Sequence, residues 1–174
     1  SRDLCLLVAE EMKNLSEELG YTYVFKASYD KANRTSADSF RSIGFEESLR
    51  ILEEISSSLL IPVITDVHES SEVPAVAQAV DMLQIPAFLC RQTSLLLAAG
   101  ATGKPINIKK GQFMAPADMQ YAVQKVQSTR NNQVLLTERG TFFGYGNLVV
   151  DFRSLPEMRQ FAPVIFDVTH SVQQ

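Results

Sequence analysis

The feature that most limits how this chain can fold is a recurring unit: a short β-branched or aromatic run, a polar stretch, then an apolar stripe at helical spacing. Residues 21–26 lead to a helix with Phe45, Leu49, Leu52 and Ile55 inward. Residues 61–66 precede a helix at 71–80, residues 81–85 one at 91–99, and residues 105–109 one at 116–127. Two further strands are expected at 133–137 and 163–168, with a helix near 154–161 between them. Ahead of all these, Cys5, Val8, Met12, Leu15 and Leu19 form one apolar stripe of an amphipathic helix that stops at Gly20.

Strands separated each time by a helix imply parallel pairing through right-handed crossovers, so the class is α/β. No GxGxxG or GxxxxGK[ST] follows any strand, which argues against a nucleotide-binding doubly wound sheet and for a (β/α)8 TIM barrel. Such barrels usually need about 250 residues. This chain has 174, begins on a helix and ends just after a strand. The expectation is one barrel domain over 1–174, an incomplete piece of about six strands that lacks the first strand and the last helix-strand-helix, and that is inactive by itself. With 45% apolar residues the chain can bury a core, and its formal net charge of −4 removes any whole-protein electrostatic case for nucleic acid or a membrane surface. No apolar run approaches the roughly 18 residues of a membrane span, and a cytoplasmic protein is expected. Two cysteines, Cys5 and Cys90, make no disulfide framework, and no CxxC or HExxH spacing exists.

In a barrel the chemistry sits at the carboxyl ends of the strands. Here those ends are polar: Lys26, Ser28, Lys31, Asn33, Arg34 and Thr35; then Asp66 and His68; then Gln84; then Lys109 and Lys110; then Glu138 and Arg139; then Asp167 and His170. Lys26, Lys31, Arg34, Lys109, Lys110 and Arg139 would bring cations to one rim of an acidic protein, a setting for phosphate and carboxylate groups. Strand alternation turns Lys110 away from the mouth that Lys109 faces. A lone lysine closing a strand is more often a solvated end than a ligand, and the polar loop around Arg34 suits turn chemistry about as well as a phosphate cradle. The 142–147 segment reads as a packed loop without chemistry.

The strings Lys26-Ala-Ser-Tyr-Asp-Lys31-Ala-Asn-Arg34-Thr-Ser36, Ile64-Thr-Asp66-Val-His68-Glu69, Gln84-Ile-Pro-Ala-Phe88-Leu-Cys-Arg91, Asn107-Ile-Lys109-Lys110-Gly-Gln112 and Phe166-Asp-Val-Thr-His170 closely resemble the 3-deoxy-D-manno-octulosonate 8-phosphate synthases. The resemblance runs along essentially the whole chain. The Lys-Ala-Asn-Arg form separates it from the related 3-deoxy-D-arabino-heptulosonate 7-phosphate synthases, which carry a Lys-Pro-Arg-Thr type motif there.

The resemblance implies a cytoplasmic, homotetrameric barrel that condenses phosphoenolpyruvate with D-arabinose 5-phosphate and releases inorganic phosphate, on the route to lipopolysaccharide. By resemblance, Lys31, Lys109 and Arg139 would hold the phosphate and carboxylate of phosphoenolpyruvate, with Lys26, Ser28 and Gln84 beside them. Asn33, Arg34 and Thr35 would bind the pentose phosphate. Phe88 is counted with the substrate-binding residues, and Arg91 would reach the phosphate site of a neighbouring subunit. Asp66 and His68 would line the sugar and water region, and His170 would sit near the reacting carbons. Lys31, Asn33, Asp66, His68, Lys109 and His170 are thus the catalytic candidates. The family has metal-dependent members, in which His170 would ligate a divalent ion; the first-strand residue that decides metal dependence lies outside these residues. Rival readings are a synthase using another sugar acceptor, a Schiff-base aldolase with Lys26 or Lys109 as amine, and a non-catalytic sugar-phosphate-binding barrel.

Overall fold

The computed structural model describes residues 1–32, 36, 38, 40–142, 144 and 146–172. Asn33, Arg34 and Thr35 lie outside the described residues. The elements alternate as the hydrophobic pattern requires: α1 (Arg2–Leu19), β1 (Phe25–Lys26), α2 (Phe45–Leu59), β2 (Val63–Asp66), α3 (Val73–Ala79), β3 (Met82–Ile85), α4 (Thr93–Ala101), β4 (Ile106–Lys109), α5 (Met119–Gln127), β5 (Val134–Glu138), β6 (Thr141–Phe142), β7 (Leu148–Val149), α6 (Ser154–Met158), β8 (Val164–Phe166) and α7 (Val168–Ser171).

The main strands are hydrogen-bonded in the order β1-β2-β3-β4-β5-β8, which is their order along the chain. That monotonic order separates two architectures with the same βα alternation. A doubly wound sheet reverses its strand order at a switch point, whereas a (β/α)8 barrel adds each strand beside the last. The α/β class and the barrel-type order therefore stand.

The residues cluster into two compact units, Ser1–Asp66 with Pro74–Leu83, and Val67–Val73 with Gln84–Gln174. In the first, β1 and β2 pair in parallel with Lys26 opposite Ile64. All of β2 is buried, and Leu49, Ile51, Leu52 and Ile55 of α2 supply the facing core. Gly20 ends α1 in the left-handed conformation, with its N–H and that of Tyr21 returning to the Glu17 and Ser16 carbonyls.

The apolar stripe expected to face inward along α1 does not do so. Its buried residue is Ala9, while Val8, Met12, Leu15 and Leu19 are exposed and Cys5 is half-buried. The hydrophobic period located an apolar face, but Ala9 lies on a neighbouring face of the same cylinder and gives α1 its buried position.

In the second unit, β4, β5 and β8 form a parallel ladder with Leu136 between Ile108 and Val164. Met119, Ala122, Val123 and Val126 of α5 are buried beside it. A short antiparallel pair, Thr141 opposite Val149 and Phe142 opposite Leu148, brackets the segment read as a packed loop. Two residues per strand are too few for a periodicity to announce. Among the described residues no helix is long and apolar enough to cross a membrane.

Leu136 is fully buried. Leu136→Ala should therefore lower stability by about 2–5 kcal/mol, seen as a fall in the urea midpoint of the complete protein with an unchanged slope.

Candidate functional site

The polar residues that follow the strands cluster within each of the two units. In the first, Lys26 closes β1 and its ammonium donates to Ser28 Oγ at 2.6 Å and pairs with Asp66 Oδ1 at 3.1 Å. Asp66 closes β2 and is buried. Lys31 is exposed on the following loop, where its backbone N–H donates to the Arg41 carbonyl at 3.0 Å and Arg41 in turn pairs with Asp30. This loop is also anchored by Tyr29, buried edge-on against Phe45 at 5.2 Å.

In the second unit the ladder itself assembles the cluster. Lys109 closes β4 opposite Thr137, Glu138 closes β5 opposite Phe166, and Asp167 follows β8. The Lys109 ammonium lies 2.5 Å from Asp167 Oδ2, and the same oxygen lies 2.7 Å from His170 Nδ1. Asp167 also caps α7 by accepting the His170 backbone N–H at 3.1 Å. Behind them a buried chain runs from Thr137, whose hydroxyl donates to Asn107 Oδ1 at 2.7 Å, to Asn107 Nδ2, which donates to Gln84 Oε1 at 3.2 Å. His68 is half-buried after β2, and Phe88 and Arg91 are exposed on the segment after β3, where the Arg91 carbonyl accepts from Lys125 at 3.1 Å.

Electrostatics within this cluster follow from burial. Burial alone would push the Asp167 carboxyl up, but the hydrogen bonds from Lys109 and the His170 N–H, with the Lys109 charge, hold it below the ordinary value. Burial lowers His170, the positive charges of Lys109 and Arg139 lower it further, and Asp167 opposes them. His170 is then a neutral imidazole at pH 7. Its short contact to an ionised carboxylate puts the proton on Nδ1 and the lone pair on Nε2. Arg139 is 5% exposed; burial lowers its pKa against the pull of Asp167 and Glu138. A guanidinium nonetheless stays charged. Its Nε and Nη1 make no hydrogen bond among the described residues. Buried donors of this kind are exceptions that call for an explanation.

Lys110 turns away from Lys109, as alternation requires, yet it does not reach solvent. It is fully buried, and its ammonium donates to the Gly140 carbonyl at 3.1 Å and Thr141 Oγ1 at 2.9 Å and stands 3.5 Å from Glu138 Oε1. It therefore leaves the set of rim cations. Sequence reasoning gave Asp167, Asn107, Thr137 and Glu138 no role. For Asp167 a signal was present: an Asp directly after a strand and three residues before a His caps a turn and can share the imidazole.

A family model described as "DAHP synthetase I family" matches residues 1–174. The chain belongs to the DAHP synthetase I family. It is 60% identical over 166 residues to the 2-dehydro-3-deoxyphosphooctonate aldolase of Koribacter versatilis (strain Ellin345), covering 95% of this chain and 60% of that relative. It is 56% identical over 174 residues to the protein of the same name from Cyanothece sp. (strain PCC 7425 / ATCC 29141), covering 99% and 64%. For that of Synechococcus sp. (strain ATCC 27144 / PCC 6301 / SAUG 1402/1) the identity is 58% over 172 residues, covering 98% and 61%. The chain spans about three fifths of the length of these family members.

The resemblance given above would make His170 a ligand of a divalent ion. Among the described residues no group of three or more His, Cys, Asp and Glu is arranged to hold a metal ion. His170 stands with Asp167, whose carboxylate Lys109 already shares. These residues do not by themselves build a metal site. Cys90 adds nothing, since burial pushes its thiol up and away from the thiolate.

Asn107→Leu leaves the Gln84 carbonyl and the Thr137 hydroxyl without their shared partner. It should cost about 1–3 kcal/mol for each group stranded, measured by denaturant unfolding of the complete protein.

Proposed function

We propose that this chain carries strand ends of a synthase that joins phosphoenolpyruvate to D-arabinose 5-phosphate, giving 3-deoxy-D-manno-octulosonate 8-phosphate and inorganic phosphate for lipopolysaccharide synthesis. The relatives' name, 2-dehydro-3-deoxyphosphooctonate aldolase, describes that product, and the motifs quoted above point to the same reaction. One observation carries the reading: Arg139 is buried with two guanidinium nitrogens that make no hydrogen bond among the described residues, in the electrostatic reach of the Lys109–Asp167–His170 cluster. A buried guanidinium with open donors suits a phosphate or carboxylate.

In this reading Lys109 and Arg139 grip phosphoenolpyruvate, and Lys31 keeps the role that the resemblance gives it. Lys26, Ser28, Gln84, Asp66 and His68 keep the roles that the resemblance gives them, as do Asn33, Arg34 and Thr35 toward the pentose phosphate. The enol carbon of phosphoenolpyruvate is a weak nucleophile, so holding it against the aldehyde is the main task, and effective molarity can supply about 7–11 kcal/mol of the barrier. As the new C–C bond forms, C2 becomes electron-poor and water adds there. The resulting hemiketal phosphate expels inorganic phosphate by C–O cleavage, with cations beside the departing group stabilising it. Nε2 of neutral His170, held by Asp167, is available to accept a proton near the reacting carbons.

A Schiff-base route is disfavoured, because Lys109 is ion-paired to Asp167 and Lys26 to Asp66, and an ammonium is no amine nucleophile. The cytoplasm, a homotetramer and Arg91 acting across a subunit boundary belong to the same proposal, as does a divalent ion should the complete enzyme be of the metal-dependent kind.

The test is product analysis of the complete enzyme with arabinose 5-phosphate and with erythrose 4-phosphate. Phosphate release with the first acceptor and not the second is expected, with no adduct trapped by borohydride. Lys109→Ala should cut turnover by about 100-fold or more with an unchanged circular dichroism spectrum; undiminished turnover removes Lys109 from the site.

A further inference from the structure

The turn that carries Arg139 is clamped from two sides by a buried ion pair. Glu138, 1% exposed, accepts the backbone N–H groups of Arg139 at 3.0 Å and Gly140 at 2.6 Å on Oε1, and the Ser154 hydroxyl at 2.9 Å on Oε2. Lys110 holds the other side of the same turn, through the Gly140 carbonyl and the Thr141 hydroxyl. Gly140 has φ +98°, and a Cβ there would lie 1.8 Å from Leu148 Cδ2, so this place in the turn calls for glycine and its backbone is held by the hydrogen bonds to Glu138 and Lys110. Each backbone polar group of the turn that these side chains reach is thus taken, while the guanidinium it carries keeps two nitrogens unbonded among the described residues.

Stability alone does not account for this arrangement. Two ions removed from water lose several kcal/mol of hydration each, and a well-packed apolar pair of similar volume is often as stable or more so. What the ion pair adds is direction, since each charged group forms hydrogen bonds of fixed geometry to the backbone on either side of Arg139.

We propose that Glu138 and Lys110 are positioning residues that aim the Arg139 guanidinium at the anionic group of phosphoenolpyruvate. This rests on the function proposed above. Neither residue touches substrate; both act through the backbone of the Arg139 turn.

The experiment is a double-mutant cycle on the complete enzyme with Glu138→Gln and Arg139→Met. It reads phosphoenolpyruvate Kd by calorimetry without acceptor, and KM for each substrate. Glu138→Gln should weaken phosphoenolpyruvate binding on the order of ten-fold and leave the KM for arabinose 5-phosphate within about two-fold, and in the Arg139→Met background it should add nothing. A general structural role would instead raise both KM values together, or weaken binding by the same factor with Arg139 absent, and either result overturns the inference. Unchanged binding in the Arg139→Met single variant would instead remove Arg139 as the anion holder, a failure of the underlying reading rather than of the clamp. Should Glu138→Gln not fold, the Lys110→Met/Glu138→Gln pair, which leaves no unpaired charge, is expected to show the same selective loss; wild-type binding there refutes the proposal.

Discussion

Parallel pairing is the constraint from which the rest of the second unit follows. In a parallel ladder every strand ends on the same side, so residues that close neighbouring strands become spatial neighbours despite being far apart in sequence. Lys109, Glu138 and Asp167 are separated by tens of residues and stand at consecutive strand ends because β4, β5 and β8 share one register. The ladder continues one step further, with the Lys110 N–H on the Thr137 carbonyl and the Asp167 N–H on the Glu138 carbonyl. The residues that carry charge are therefore held by main-chain hydrogen bonds rather than by loops.

Burial then decides which charges can coexist there. Half-buried cations without partners would be costly, and the cluster answers with two carboxylates used differently. Glu138 spends its hydrogen-bonding capacity on backbone and on Lys110, so its charge is neutralised inside the protein. Asp167 faces Lys109 and His170 and fixes an ammonium and an imidazole tautomer together. Adjacent residues thereby acquire separate surroundings: Lys109 lies in the Asp167–His170 cluster and Lys110 within the fold.

The α/β class, the strand positions and the charged strand ends were legible in the sequence, because β-branched runs and the residues directly after them are local signals. Lys109 and Arg139 could be named on that basis, and so could the opposite orientation of Lys110. That Lys110 points into protein rather than solvent was not legible, since alternation says which side a residue faces and nothing of what covers that side. The same limit explains α1. The period of Cys5, Val8, Met12, Leu15 and Leu19 is a genuine helical stripe, yet Ala9 on the neighbouring face is the residue buried. Pairings such as Asp167 with Lys109, 58 residues apart, depend on register, which no short motif encodes.

Arg139 and Lys109 differ in what each needs from the fold. An arginine fork is directional, so it is only as useful as the backbone beneath it is fixed; a lysine ammonium is a point charge on a flexible stem that can pass between acceptors. The structure matches this difference, with Arg139 on a turn gripped by Glu138 and Lys110, and Lys109 on a strand end beside a carboxylate oxygen it can share. Lys110 and Glu138 cancel, His170 is neutral, and Lys109, Arg139 and Asp167 leave a single positive charge. One positive charge is what a single carboxylate or phosphate would complement, and Asp167 sets that balance while it orients Lys109 and His170.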